Sequence, residues 1–293
     1  MRRPAQIAAV GEILWDIFPD RQVLGGATYN FCVHASTLGN KVHLLSAVGA
    51  DELGARALVQ ASGRGLQVQV IEGASTGQVT VAVDSEGQPS YKLHRPAAYD
   101  EAIWIAPPVE PDWIYFGTLH QVYEKPRSLT RRLCGTYPKA RRFCDINLRV
   151  DCYSKELLLD LLPLANILKL NDGEVDELRR FGICTAIDLE TSCAELAERF
   201  ELEIVCVTRG EHGCAVWLDG KYMEAAGIPT EVVDTVGAGD AFSAALVHGI
   251  QAGWTIERVA NFANRVGAYV ASRRGGTPAW NLEGNGEGLS CCD

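Results

Sequence analysis

The sequence predicts an α/β fold of three layers, α/β/α, around a mostly parallel central sheet, with a small antiparallel β lid. Three features of the 293 residues carry that prediction. From about residue 112 onward, short apolar runs alternate with helical patterns, the rhythm of a parallel sheet covered on both faces. Residues 78 to 95 break that rhythm. Val79, Val81 and Val83 alternate with Thr80 and Ala82, Asp84-Ser85-Glu86-Gly87 makes a turn, and Tyr91, Leu93 and Arg95 alternate on the return, which is a hairpin. Near the C-terminus, Asp234-Thr235-Val236-Gly237-Ala238-Gly239-Asp240 opens onto an apolar helix.

In chain order, Gln6 to Gly11 reads as a short buried strand. No G-x-G-x-x-G follows it, and no G-x-x-x-x-G-K-[ST] occurs anywhere, so neither nucleotide-loop class is supported. Glu12 to Phe18 is an irregular apolar run with two acids, broken at Pro19-Asp20-Arg21. Gly25-Gly26 follows, then a helix from Ala27 to Leu38 stopped by Gly39. Val42 to Val48 reads as a second strand, Asp51 caps a helix to about Ala61, and Val68 to Ile71 is a third strand. Residues 13 to 24 join the hairpin in the lid, which spans about 12–26 and 76–100. Strands then fall at Trp113–Phe116, Arg142–Asp145, Ile167–Leu170 and Ile204–Thr208, with helices at Ser128–Cys134, Lys155–Leu164, Gly173–Phe181 and Ala194–Phe200. Cys214 to Met223 is a hairpin turning at Asp219-Gly220. Phe242, Ala245, Leu246 and Gly249 recur at helical spacing after Ala238, and a long helix, Ile256 to Arg273, closes the fold. No repeat, linker or composition break divides the chain, so a single domain over 1–293 is expected.

Composition narrows the function classes. A formal charge of −10 with no basic run opposes nucleic-acid binding, and no apolar run reaches membrane-spanning length. The start of the chain carries no signal-peptide core, and the ten cysteines lack zinc spacing, which suits a reduced, cytoplasmic protein. Cys32, Cys144, Cys206 and Cys214 sit in apolar elements as small hydrophobes. Cys291-Cys292 read as exposed thiols in a Gly-rich tail.

Two constellations carry chemistry. The turn Gly237 to Asp240 places unpaired N–H groups and the positive end of a helix dipole beside a carboxylate, a combination suited to attack by a hydroxyl on a phosphoryl group. A tight connection with a dipole-complementing Asp accounts for the same residues, and on this stretch alone the two readings stand side by side. Asp16, Gly25, Gly26 and Asn30 form the second group. A carboxylate and an amide can each bind sugar hydroxyls, and Gly-Gly lets backbone approach closely; turn and surface roles serve these residues equally well. Polar residues at the strand ends add Asp145, Asn147, Asn171, Glu174 and Thr208 to Gly210, where ligands of such sheets gather.

Taken together, the chain from Gly11 to about Pro278 resembles the ribokinase-like (PfkB) carbohydrate kinase family. The likeness rests on Gly25-Gly26-Ala27-x-x-Asn30, Gly39, Val48-Gly49-Ala50-Asp51-x-x-Gly54, Asp145-x-Asn147-x-Arg149, Asn171-x-x-Glu174, Thr208-Arg209-Gly210-x-x-Gly213 and Asp234 to Phe242, in the family's order. The resemblance implies ATP-dependent phosphoryl transfer to a sugar, with Asp240 as base and the N–H groups of Gly237, Ala238, Gly239 and Asp240 as the anion hole. It implies sugar contacts from Asp16, Gly25, Gly26, Asn30 and Arg149, and nucleotide contacts from Asn171, Thr208, Arg209, Gly210, Gly213, Gly239 and Asn264. Glu174 would act on Mg²⁺ through water. A potassium site would draw on Asp234, Val236, Val270, Arg273 and Gly275, although Ala279 stands where some members carry a serine. Gly11-Glu12-Ile13-Leu14-Trp15-Asp16 and Phe116-Gly117-Thr118-Leu119 are most similar to the fructokinase-type branch, implying D-fructose as substrate; ribose, 2-keto-3-deoxygluconate or a nucleoside are the alternatives within the same chemistry. A non-catalytic binding protein on the same scaffold is the rival of a different class. His120 and Gln121 are candidate selectivity residues or a solvated loop. Thr28-Tyr29 replaces the Pro-Ala of many relatives, so Tyr29 is expected to reshape the sugar pocket. No raised pKa is required of Asp240. A homodimer through the lid is the expected partnership.

Overall fold

The first strand, β1 (Gln6–Val10), lies next to the edge of the central sheet and feeds straight into the lid strands β2 (Leu14–Ile17) and β3 (Gln22–Gly25). The chain returns through α1 (Ala27–Thr37) to β4 (Lys41–Leu45), then leaves through β5 (Ala47–Gly49), α2 (Glu52–Gly63) and β6 (Gln69–Ile71). The hairpin β7 (Gly77–Val83) and β8 (Pro89–His94) completes the lid. This computed structural model describes residues 3–83, 89–283 and 288–291. The hairpin's turn at Asp84 to Gly87 and the residue Cys292 lie outside them.

The second half is the alternating region: β9 (Trp113–Gly117), α3 (Glu124–Thr136), β10 (Arg141–Asp145), α4 (Lys155–Leu161), β11 (Ile167–Asn171), α5 (Asp172–Arg180), α6 (Leu189–Phe200) and β12 (Ile204–Thr208). The hairpin β13 (Cys214–Leu218) and β14 (Lys221–Ala225) follows, then α7 (Ala238–Ala252), α8 (Ile256–Ala271) and a terminal hairpin of β15 (Trp280–Glu283) and β16 (Gly288–Cys291). Eight strands share the central sheet in the order β14-β13-β12-β11-β10-β9-β1-β4, parallel from β4 to β12 and antiparallel over the last two pairings. A mostly parallel sheet with helices on both faces is therefore present as predicted.

Strand alternation sorts the core into two layers. Ile7, Ala9, Trp113, Tyr115, Phe143 and Ile167 face the layer containing α1, α7 and α8. Ala8, Val10, Ile114, Phe116, Cys144 and Leu168 face α3, α5 and α6. Each face is closed by apolar stripes, so neither side of the sheet meets water. Eight cysteines among the described residues are buried free thiols, consistent with use as small apolar side chains.

The chain order places the site. From β1 the chain goes to β4 on one side, then crosses to β9 on the other, so strand order reverses at β1, and the carboxyl ends of β1 and β9 are where sheets of this kind bind ligands. The lid sheet, ordered β3-β2-β7-β8, leaves the body there. Its two hairpins are antiparallel, and β2 and β7 join them in parallel register.

Two local expectations change. Val42 to Val48 is two strands, because after buried Ser46 the backbone leaves β1 and pairs with β6 instead. The long helix also does not end the fold: β15 follows it, and Trp280 is buried against Tyr269 and His34.

Candidate active site

Helix α7 begins abruptly because Gly237 takes a left-handed φ of 76° as its N-cap, and a Cβ there would lie 2.2 Å from the Gly276 carbonyl oxygen. The carbonyl of Gly237 accepts from Ala241 N and that of Thr235 accepts from Ala238 N. The N–H groups of Gly239 and Asp240 have no acceptor among the described residues. They leave unpaired donors at the positive end of α7, a geometry that suits an anion.

Asp240 lies in that turn, 7% exposed. Asn30 on α1 donates from Nδ2 to Asp240 Oδ2 at 2.9 Å across 210 residues of sequence. Burial, then the nearby Asp145 charge, push the Asp240 carboxyl up to about 7, against the pull of Asn30, Lys169 and Arg149. Nothing in the neighbouring residues predicts this rise; it is a property of the packed site. Asn30 Oδ1 is buried without a hydrogen-bond partner among the described residues. A buried amide oxygen left without a donor is costly, so this atom is set to receive an incoming N–H or O–H.

Asp16 converges on the same point. A Cβ on Gly25 would stand 3.1 Å from Asp16 Oδ2 and 3.9 Å from Asn30 Oδ1, so the missing side chain keeps open the space between them. Burial raises the Asp16 carboxyl to about 6, with Arg149 lowering it and Asp234 raising it. Gly26 has φ 103°, and a Cβ there would meet the Glu12 carbonyl at 2.9 Å. The buried Glu12 carboxylate accepts from Thr28 N and Oγ1, capping α1 from outside the helix. Exposed Arg149, after β10, acts electrostatically on Glu12, Asp16 and Asp240 together. Asp16, Gly25 and Asn30 thus converge beside Asp240, with Gly26 held against Glu12 next to them and the Arg149 charge felt by all three acids.

On the other side of the turn, Asp145 and Lys169 are direct cross-strand partners in β10 and β11 and point to the α7 face. Lys169 Nζ donates to both Asp145 oxygens at 3.1 Å. Ser243 Oγ donates to Asp145 Oδ2 at 2.8 Å. Burial opposes the Lys169 charge, yet Asp145, Glu174 and Asp240 outweigh it and hold its pKa above the ordinary value. Sequence reasoning missed Lys169, Ser243 and Glu12. The one available signal was a lysine inside the otherwise apolar run Ile167-Leu168-Lys169-Leu170.

Asn171 and Glu174 form a reciprocal capping box: Glu174 N donates to Asn171 Oδ1 at 2.9 Å and Asn171 N to Glu174 Oε2 at 2.8 Å. Leu148 N donates to Glu174 Oε1, tying the loop that carries Arg149 to α5. With both oxygens engaged, and no cluster of three or more metal-ligating side chains among the described residues, Glu174 fits a magnesium ion only behind water, the remaining ligands being phosphate and water oxygens.

Thr208 to Gly213 is a tight turn in which Arg209 N donates to Gly213 O at 2.7 Å. A Cβ on Gly213, at φ 86°, would stand 2.1 Å from the Ala225 carbonyl oxygen, so the turn is pressed against the next loop. Gly210 also has a left-handed φ of 54°. Asn264 Nδ2 donates to Ala225 O and Ala226 O, so its amide supports that loop. Arg209 pairs with Glu224 at 2.9 Å.

Asp234 accepts from Val236 N through Oδ1 and from Gly275 N through Oδ2, drawing those segments together. Val270 is buried and its carbonyl accepts from Arg273 N, while the Arg273 guanidinium lies over Tyr269 and donates to the Tyr269 carbonyl. Of the potassium candidates, Asp234, Val236 and Gly275 are joined by these bonds, and the Arg273 side chain is engaged elsewhere.

Two expectations about the sugar pocket are corrected. Tyr29 packs into the core, 2% exposed, instead of narrowing the pocket. His120 and Gln121 are fully buried and are no solvated loop: His120 Nε2 bonds the Tyr99 carbonyl and Gln121 Nε2 donates to Thr130 Oγ1.

Free N–H groups at a helix start, a buried carboxylate in its first turn and polar side chains gathered at the switch point of a parallel sheet suit a phosphotransferase acting on an alcohol group. Residues 18–282 match the model of the pfkB family carbohydrate kinases, and the chain belongs to that family. It is 26% identical to a fructokinase of Salmonella typhimurium and 27% identical to one of Escherichia coli, each alignment covering 94% of this chain and 96% of the relative. Among solved structures it superposes on Xylella fastidiosa fructokinase with bound ATP (TM-score 0.79, 20% identity, 92% and 93% covered). It also superposes on 2-dehydro-3-deoxygluconokinase of Thermotoga maritima (TM-score 0.80, 16% identity, 94% and 95% covered). The protein is a sugar kinase.

Proposed function

We propose that this chain transfers the γ-phosphoryl group of ATP to D-fructose, forming fructose 6-phosphate. The observation that carries the reading is the unpaired Asn30 Oδ1 on the amide that bonds Asp240, the residue whose turn carries the free N–H groups of Gly239 and Asp240. A sugar hydroxyl supplies the donor that Asn30 lacks, and Asp16 holds neighbouring hydroxyls. The fructokinase relatives, alike over nearly the whole chain, supply the choice of sugar.

In this reading the acceptor hydroxyl gives its proton to Asp240 as its oxygen bonds to phosphorus. The bridging bond to the leaving ADP breaks, and the electron pair departs with ADP. Gly237, Ala238, Gly239 and Asp240 stabilise the charge spread over the transferred group. Asp240 stands close to the optimum for a base near neutral pH. Arg149 offsets the negative potential that Glu12, Asp16 and Asp240 create, which otherwise repels a polyphosphate. Asn171, the Thr208–Gly213 turn and the loop braced by Asn264 hold the nucleotide. Magnesium, when bound, neutralises phosphate charge, and Glu174 would orient its water. Asp234, Val236, Val270, Arg273 and Gly275 remain our candidates around a potassium ion. We also carry a homodimer through the lid, whose outward strands expose Thr80, Lys92 and His94; light scattering after size exclusion reads that state.

The test is release of ADP from ATP over a panel of fructose, ribose, 2-keto-3-deoxygluconate and a nucleoside, with and without potassium. Turnover highest on fructose supports the substrate, and no turnover on fructose ends that claim. Turnover of no sugar at all favours the non-catalytic binding protein.

A further inference from the structure

Lys169 is a charge buried where charge is expensive, and its location has a direct chemical use. Its side chain is 7% exposed, its Asp145 partner fully buried. Parallel register explains the placement: Asp145 and Lys169 are opposite one another at the carboxyl ends of β10 and β11, on the face that receives the N-terminus of α7. An ammonium has three N–H donors. The two Asp145 oxygens occupy at most two of them, and the third has no acceptor among the described residues. A Cβ on Gly239 would lie 3.2 Å from Nζ, so the glycine that opens the anion hole also uncovers the lysine to it. Any group seated on the Gly239 N–H is within reach of this third donor.

We propose that Lys169 is a catalytic residue, its free N–H bonding an oxygen of the transferred phosphoryl group inside the turn Gly237 to Asp240. Asp145 and Ser243 fix the ammonium in place, so no reorganisation is needed when charge develops on the phosphoryl oxygens. The inference rests on the kinase reading but not on the choice of sugar or on Asp240 as base.

The simpler role, neutralising Asp145, is separable by binding. Calorimetry with magnesium-ADP and with the non-hydrolysable magnesium-AMPPNP, without sugar, gives the affinity ratio due to the γ-phosphate alone. In Lys169→Met that ratio falls about tenfold or more while ADP affinity stays within about twofold, the scale of one charge-assisted hydrogen bond. kcat falls about 100-fold or more, as for loss of one oxyanion donor. Because a lone buried Asp145 destabilises the fold, the pair Asp145→Asn/Lys169→Met is measured too. It recovers thermal stability and still lacks the γ-phosphate preference. Recovery of that preference in the double variant, or equal losses for ADP and AMPPNP in the single one, overturns the proposal. Asp240→Asn keeps the preference, so turnover by that variant would remove the base assignment and leave Lys169 standing. Absence of the preference in the wild-type chain would overturn the Lys169 proposal, whereas the kinase reading stands or falls separately on ADP release over the sugar panel.

Discussion

Asp240→Asn should abolish turnover and, above neutral pH, make the protein more stable. The folded site holds the Asp240 carboxyl at about 7 against an ordinary value of 3.8. Between those values the native state binds a proton that the unfolded chain has released, so stability falls as pH rises through this window. At pH 8 the full cost is present. About three units at 1.36 kcal/mol each give roughly 4 kcal/mol as an upper value. Asparagine carries no charge and can still accept from Asn30 Nδ2, so it avoids that cost without leaving a polar group unpaired. If half the value is realised, about 2 kcal/mol, the midpoint of thermal unfolding rises by roughly 3 °C at pH 8 for a chain of this length. Near pH 4 the two proteins should be nearly equal. Paired thermal and urea unfolding at pH 4.5 and pH 8 measures the difference. An Asp240→Asn variant no more stable than wild type at pH 8, or a gap that does not change with pH, would refute the argument that burial of this carboxylate is what raises its pKa.

The same carboxylate predicts that wild-type kcat/KM for the sugar rises with pH through an apparent value near 7, and a flat profile from pH 5 to 8 would exclude Asp240 as the group that must be ionised. Asn30→Leu should lose at least about tenfold in kcat/KM, because Asp240 loses its donor and the sugar an acceptor, with nucleotide affinity unchanged by calorimetry. Gly237→Ala should fall below detectable turnover, since its Cβ would lie 2.2 Å from the Gly276 carbonyl oxygen at a φ reserved for glycine; steady-state rates on purified, folded protein decide it. Glu174→Gln keeps the acceptor oxygen facing one of its two backbone donors and should cost about 1 kcal/mol in urea unfolding, with a larger effect on the magnesium dependence of turnover.

Local patterns fixed much of the architecture in advance. Alternation in the lid hairpin, helical spacing after Ala238, the glycine at position 39 and the strand-helix rhythm from residue 112 are all properties of neighbouring residues, and each of these elements is present, although α3 and α6 begin at Glu124 and Leu189, ahead of the Ser128 and Ala194 that the pattern marks. The turn Asp234 to Asp240 was readable because unpaired N–H groups at a helix start follow from chain geometry alone. What could not be read locally depends on which distant segments meet. Val42 to Val48 looks like one strand, and only its competing partners, β1 and β6, divide it. Tyr29 looked like a pocket residue because the side of α1 that faces the core is set by β1, β9 and α7. Asn30 and Asp240 touch across 210 residues, Asp145 and Lys169 across a strand register, and no window of sequence contains either pair. The raised carboxyl of Asp240 has the same origin. Desolvation is the work of everything packed around a group, so the residue type supplied the chemistry and the tertiary structure set the pH at which it operates.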